Sequence, residues 1–239
     1  MIKLHGFGPN LGLPDASPFV LKIDAYLRLA DIPFESVSGM DNIRKAPKSK
    51  LPFITDPSIT DGDQVISDSA FIVQHLQKKH AVNLDADLTE EQKAIAHLVC
   101  STLEEKSYWC GLYYRWIDDA GWRQTRSAFF GDMPAIMKLF VPALVRRDMG
   151  KALHGQGTGR HSPDEILQIA RESISSVSTL LGSGPFLFGE KPCSADATLY
   201  GSLAQLTLAE IDTPVNTMAA EYPNLKTYCE RFKEKYYSV

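Results

Sequence analysis

Every strand-like run in this chain falls within its first eighty residues, and from Thr89 onward the pattern is helical almost without exception. That division describes an α/β layer of about 80 residues joined to an all-helical unit of about 150. In the first part, Ile2–Phe7 reads as a strand closed by Gly8-Pro9-Asn10. Residues 16–30 read as a helix, because Phe19, Val20, Ile23, Leu27 and Ala30 recur at helical spacing. Pro18 stands just inside its start and Ser17 is the candidate N-cap. Pro33–Val37 then gives strand–helix–strand with a right-handed parallel crossover. Pro52–Thr55 and Gln64–Ile66 are short strands separated by the turn-rich Asp56-Pro57-Ser58 and Asp61-Gly62-Asp63, which suits an antiparallel pair. A helix follows over Ser69–Lys79. The order βαβ–ββα over residues 1–80 is that of a thioredoxin-like layer.

Residues 81–88 form a polar connector, and residues 89–239 the helical part. Thr89 and Gln92 make a capping box, and Ser162-Pro163-Asp164-Glu165 repeats it with proline at the first helical position. The stripe Ile166, Ile169, Ala170, Ile174, Val177 and Leu181 runs to Gly182, a C-terminal cap. Two further helices fit residues 194–210 and 223–236.

Composition bounds the function. The chain has 239 residues, enough for one large domain or two compact ones. It carries 25 Lys+Arg against 29 Asp+Glu, a net charge of -4, which argues against a duplex nucleic-acid binder. No stretch is long and apolar enough for a transmembrane helix, and Met1–Gly6 lacks the apolar core of a secretory signal. Cys100, Cys110, Cys193 and Cys229 show no zinc spacing, so no metal is expected and the reading is a protein of the reducing cytoplasm.

Three places in the first part suit one kind of ligand. Ser17 opens a helix beside free backbone N–H groups and the positive end of the dipole. Its hydroxyl can donate to a thiolate, or it can simply cap the helix. Leu51-Pro52 opens a strand, where proline is ordinarily tolerated. In a thioredoxin-like sheet a cis bond there turns the backbone of the preceding residue toward a peptide ligand. Asp68-Ser69 leads a strand straight into a helix. Ser69 with its N–H suits a carboxylate and Asp68 suits an ammonium group, the two ends of an amino acid; an Asp/Ser cap is the plainer alternative.

Taken in order, these motifs resemble the glutathione transferase superfamily. Asp68-Ser69 looks like its γ-glutamyl site and Leu51-Pro52 like its cysteinyl-backbone site. The run Phe186–Ala197 resembles its later capping box, and Tyr222-Pro223-Asn224-Leu225 is a further marker before the last helix. From Gly159 through Ala197 the chain looks closest to the failed-axon-connections and metaxin-like branch.

By that resemblance Ser17 falls where serine-type members carry the thiol-activating hydroxyl. Ser17-Pro18-Phe19, in place of Cys-Pro-Phe, implies conjugation rather than cysteine-based thiol exchange. The implied partners are glutathione as co-substrate, a small electrophile and a second copy of the chain as a homodimer. Two departures stand out. The loop from Phe7 to Ser17 is long enough for Asn10 or a backbone N–H to take the serine's role. Cys193 stands where serine or threonine usually caps, which weakens that helix start unless Ser194 compensates.

The electrophile site is expected along the first helix of the second part. Its candidate residues are Phe7, Tyr108, Trp109, Tyr113 and Trp116, the last four in an aromatic run that also holds Tyr114 and Arg115; some of these aromatics must be core. Gly155–Arg160 lacks the strand and the Gly-Lys-Ser/Thr of a phosphate loop and reads as a link. Glu104-Glu105 and Asp118-Asp119 read as solvated faces. The expected function is thiol activation of glutathione for attack on a small electrophile, a detoxifying transfer. A non-catalytic interaction module and a glutathione-dependent peroxidase are the alternatives.

Overall fold

The structure is a computed structural model that describes residues 1–57 and 62–238. Its first part runs β1 (Ile2–Gly6), α1 (Pro18–Leu29), β2 (Phe34–Ser38), the short α2 (Asn42–Lys45), β3 (Phe53–Asp56), β4 (Gln64–Ser67) and α3 (Ser69–His80). The sheet order is β2-β1-β3-β4, with β1 parallel to β2 and antiparallel to β3, and β4 antiparallel to β3. This is the mixed sheet of a thioredoxin-like layer, as expected. The turn expected through Ser58 and Asp61 lies outside the described residues.

β1 stops at Gly6, one residue earlier than expected, where the backbone runs against the Asp15 side chain. A Cβ at Gly6 would lie 2.5 Å from Asp15 Oδ2 and 2.6 Å from Val20 Cγ1, so only glycine fits. α1 is buried along most of its length through Val20, Leu21, Ile23, Tyr26 and Leu27. It lies between the sheet and the second part of the chain.

The second part is helical: α4 (Glu90–Thr102), a π-helical turn (Leu103–Ser107), α5 (Tyr108–Trp116), α6 (Asp119–Phe130), α7 (Ala135–Lys138), α8 (Val141–Gln156), a single 3-10 turn (Thr158–Arg160), α9 (Pro163–Leu181), α10 (Ser194–Thr207), α11 (Pro214–Ala219) and α12 (Pro223–Tyr237). Both expected capping boxes form, at Thr89/Gln92 and Ser162/Glu165, and Gly182 caps α9 with φ 58°. The segment around Gly155 continues α8 and closes in the 3-10 turn rather than forming an open link.

α10 is the spine of the two parts. Gly201 lets it approach α1 so closely that a Cβ would sit 2.6 Å from Pro18 O and 2.8 Å from Lys22 N. Its start is secured by Asp196, which is fully buried and accepts from Cys193 N at 2.8 Å, Leu187 N at 3.0 Å and Tyr228 OH at 3.0 Å. The weak start expected from a thiol at position 193 is thus offset by Asp196. Ser194 does not do that work: its N–H and O–H both donate to Asp85, at 2.8 and 2.7 Å.

The π-helical turn corrects one expectation. Glu104 is not on a solvated face; it forms a 2.6 Å ion pair with Lys22, itself buried on α1. Glu104 stands within the wide turn itself, and its carboxylate reaches α1 there. Asp118 caps α6 by accepting from Ala120 N and Gly121 N, both at 3.0 Å, while Asp119 pairs with Arg146 at 2.7 Å.

Candidate active site

The sheet register gathers the three sequence-predicted segments. His5 of β1 pairs with Phe53 of β3, and Phe53 pairs with Ser67 of β4. The loop to α1 leaves β1 just beyond His5, Leu51-Pro52 enters β3 just before Phe53, and Asp68-Ser69 leaves β4 just after Ser67. All three therefore emerge at one end of the sheet, and α1 and α3 both begin there. Two helix N-termini at one sheet end make a region of positive potential with free N–H donors. The exposed side chains of Arg44, Lys45, Lys48 and Lys50 stand on the segment leading into Leu51 and add to it.

The Leu51-Pro52 bond is cis. Leu51 is half-buried, and among the described residues its N–H and C=O bond to no other backbone group, so both are available to an extended ligand. Asp68 caps α3, accepting from Ala70 N at 3.1 Å. It does so from an uncommon backbone conformation, φ 81° and ψ 127°, which a residue without glycine's freedom adopts only when its surroundings impose it. Its carboxylate stays exposed, 4.0 Å from Lys48 Nζ, whereas Ser69 is buried at 7 % exposure. The corner therefore offers a carboxylate to solvent and helical N–H groups behind it.

Ser17 is half-buried at the N-cap of α1. Its Oγ accepts from Val20 N at 3.4 Å, the long limit of a hydrogen bond, and among the described residues its O–H donates to nothing. Asn10 is committed elsewhere, donating to Ala128 O of α6 at 2.9 Å. The loop is held by a group that the motif reading passed over, Asp15. This carboxylate is 4 % exposed and accepts from Gly8 N and Ser17 N, both at 2.8 Å. Burial pushes its pKa up to about 6, against the opposing pull of the Gly8, Ser17 and Phe7 backbone amides. The carbonyls of Asp15 and Ala16 accept from Gln205 Nε2 at 3.0 Å and from Arg115 Nη1 at 3.1 Å. The helical part of the chain thus fixes the loop that presents Ser17.

Beside this loop lies a cavity with about 580 Å³ of unfilled space, part of it open to solvent. Pro18, Leu103, Tyr108, Leu112, Leu206 and Val215 give it apolar walls, while Arg115, Ser107 and Gln205 are among its polar members. Of the aromatic wall expected from the sequence, Tyr108 borders the cavity and packs edge-on against Phe19 with ring centroids 5.0 Å apart. Trp109 packs edge-on against Tyr108, and Tyr113 against Tyr114. Trp116 lies instead in an aromatic cluster with Trp122, Phe129 and Phe130. Tyr114 is core, its O–H donating to Pro163 O at 2.6 Å. Phe7 is half-buried at the mouth of the β1–α1 loop.

All four cysteines are free, and burial pushes the Cys100 and Cys110 thiols up to about 11 and the Cys229 thiol up to about 12, with Cys193 raised further still. The chain itself therefore supplies no thiolate at neutral pH. Among the described residues no cluster of His, Cys, Asp and Glu is placed to hold a metal ion, and no helix is long and apolar enough to cross a membrane.

Comparison with known proteins agrees with this geometry. Residues 18–121 match the glutathione S-transferase N-terminal domain model and residues 170–232 the C-terminal domain model. The chain is 35% identical over 248 residues to an isoprene-epoxide–glutathione S-transferase of Rhodococcus sp. (strain AD45), covering 99% of both chains. It is 30% identical to Failed axon connections of Drosophila melanogaster and to human metaxin-1, covering 98% and 99% of itself but only 58% and 51% of those longer proteins. Among solved structures, a glutathione S-transferase of Ceriporiopsis subvermispora in complex with glutathione superposes with a TM-score of 0.59 at 18% identity, covering 100% of this chain and 98% of that one. One from Methylobacterium radiotolerans, in complex with glutathione sulfonate, gives 0.60 at 16% identity, with 97% and 90% covered. At those identities the superpositions speak for the fold.

Proposed function

Since this chain belongs to the glutathione S-transferase family, we propose that it binds glutathione at the open end of its sheet and presents the sulfur, as thiolate, to a small electrophile. The observation that carries this reading is the convergence of Ser17, Leu51-Pro52 and Asp68-Ser69 on one sheet end. The γ-glutamyl carboxylate lies against the Ser69 N–H and the start of α3, and its ammonium group against Asp68. The cysteinyl backbone pairs with Leu51, and the sulfur meets the Ser17 hydroxyl and the start of α1.

The energetics are sufficient. A thiol of pKa ~8.5 lowered by two units needs about 2.7 kcal/mol of preference for the anion. A hydrogen bond to a charged group supplies about 1.5–3 kcal/mol and a helix N-terminus about 0.3–1 kcal/mol. In the reaction the sulfur lone pair forms a bond to carbon as the carbon–leaving-group bond breaks. With an epoxide, the electron pair of the C–O bond moves onto oxygen, which takes a proton from water. The Rhodococcus relative is named for an epoxide, so a small epoxide is the first electrophile to assay.

A second reading, an interaction module without turnover, draws on an exposed apolar run. Ile136, Leu139, Phe140 and Leu144 are 71%, 81%, 50% and 43% exposed. Calorimetric titration with glutathione, followed by conjugation assays, separates the two: binding with turnover supports the enzyme, and binding without turnover on epoxides, haloarenes or hydroperoxides supports the module. Ser17→Ala is expected to lower turnover by about 10- to 100-fold, the equivalent of one hydrogen bond to an anion, and to cost less than about 1 kcal/mol of stability. A large stability loss with unchanged turnover would make Ser17 a structural cap and remove it from the chemistry.

A further inference from the structure

The cavity beside the Ser17 loop contains a cation that lacks a counter-ion. Arg115 has only neutral hydrogen-bond acceptors among the described residues: Ala16 O at 3.1 Å and Gln205 Oε1 at 3.2 Å. No Asp or Glu is among the described residues lining the cavity. The guanidinium is desolvated enough for burial to lower its pKa to about 10.

A second, independent feature points the same way. Ser107 lines the same cavity at 6 % exposure, and its buried Oγ has no hydrogen-bond partner. A buried hydroxyl without a partner is uncommon, and this one borders open space. Ser107 closes the π-helical turn, a distortion frequent at functional sites. The cavity thus holds a guanidinium bonded only to neutral acceptors and a hydroxyl without a partner. Around them stand the apolar side chains of Leu103, Leu112, Leu206 and Val215.

We propose that this cavity binds small electrophiles that carry a carboxylate, with the carboxylate on Arg115 and Ser107 and the apolar body between Leu103, Leu112, Leu206 and Val215. A carboxylate supplies the missing charge, matches the planar fork of the guanidinium and accepts the orphan hydroxyl. A neutral oxygen would satisfy the hydroxyl but leave the cation uncompensated. The inference deepens the functional reading above and rests on it for the fate of the ligand, though not for its binding.

The test measures binding without glutathione. Hexanoate and hexanol, equal in chain length, are titrated calorimetrically into the full chain. Wild type is expected to bind hexanoate at least about tenfold more tightly than hexanol, as one charge-assisted pair requires. Arg115→Met should abolish that preference, Arg115→Lys should retain part of it, and Ser107→Ala should weaken hexanoate about threefold or more without moving hexanol. Equal affinity of the wild type for hexanoate and hexanol overturns the proposal, whatever the variants do. Should Arg115→Met not fold, the wild-type preference and Ser107→Ala still decide.

Turnover of a terminal epoxyhexane and of the corresponding epoxyhexanoate then separates the two readings. Equal conjugation of both, with no hexanoate preference, removes the carboxylate site and leaves the transferase. A hexanoate preference without glutathione binding removes the transferase and leaves the site.

Discussion

Asp15 ties the pH dependence of folding to the loop that presents Ser17. Its carboxyl is buried, and its pKa is raised from 3.8 to about 6. The folded chain therefore takes up this proton at a higher pH than the unfolded chain does. The stabilisation linked to that proton is complete below the unfolded value and is lost as pH rises through about 6. With those two values, acidification from about pH 7 to about pH 5 favours the folded state by about 1.3 kcal/mol through this group. In a chain of this size that amounts to about 3–5 °C in Tm. The perturbation is Asp15→Asn, which cannot titrate. Its amide nitrogen also opposes one of the two backbone N–H groups that Asp15 satisfies, so the variant is less stable at both pH values. The informative quantity is the wild-type-minus-variant stability, measured by urea unfolding at each pH. It should grow by about 1.3 kcal/mol on acidification, and other titrating groups such as His5 cancel in the subtraction. A difference constant to within about 0.3 kcal/mol would refute the assignment of a raised pKa to Asp15.

Two further outcomes rest on the geometry. Asp68→Asn keeps an acceptor for the Ala70 N–H but removes the exposed charge, so glutathione affinity should fall about tenfold in calorimetry with Tm nearly unchanged; unchanged affinity would take the ammonium away from this residue. Gly201→Val places methyl groups against Pro18 O and Lys22 N, where even a Cβ is too close. It should cost at least about 3 kcal/mol in chemical denaturation by forcing α10 off α1, and a cost below about 1 kcal/mol would contradict that packing.

Most of the fold was legible because local signals agreed with the tertiary result. The Thr89 and Ser162 capping boxes, the helical stripe after Ile166 and the proline at the start of α1 each state their element in the sequence. The convergence of Ser17, Leu51-Pro52 and Asp68-Ser69 at one sheet end was legible for the same reason, since all stand at element boundaries. Asp15 had a local signature that was there to read: an Asp two residues before the N–H it accepts makes an Asx turn. Arg115 had none, because its acceptors lie 99 and 90 residues away in the chain. The π-helical turn explains why the aromatic wall was harder to place. Helical periodicity assumes an unbroken screw, and the wide turn at Leu103–Ser107 changes the phase before Tyr108, Tyr113 and Trp116 are reached.

The withdrawn cysteines bear on self-inflicted damage. Alkylating reagents modify proteins chiefly through ionised sulfur, and every sulfhydryl of this chain is kept in its protonated form by the packing around it. A reactive compound entering the cleft would find a nucleophilic sulfur only on a guest molecule. The scaffold itself offers such compounds no ionised sulfur to attack.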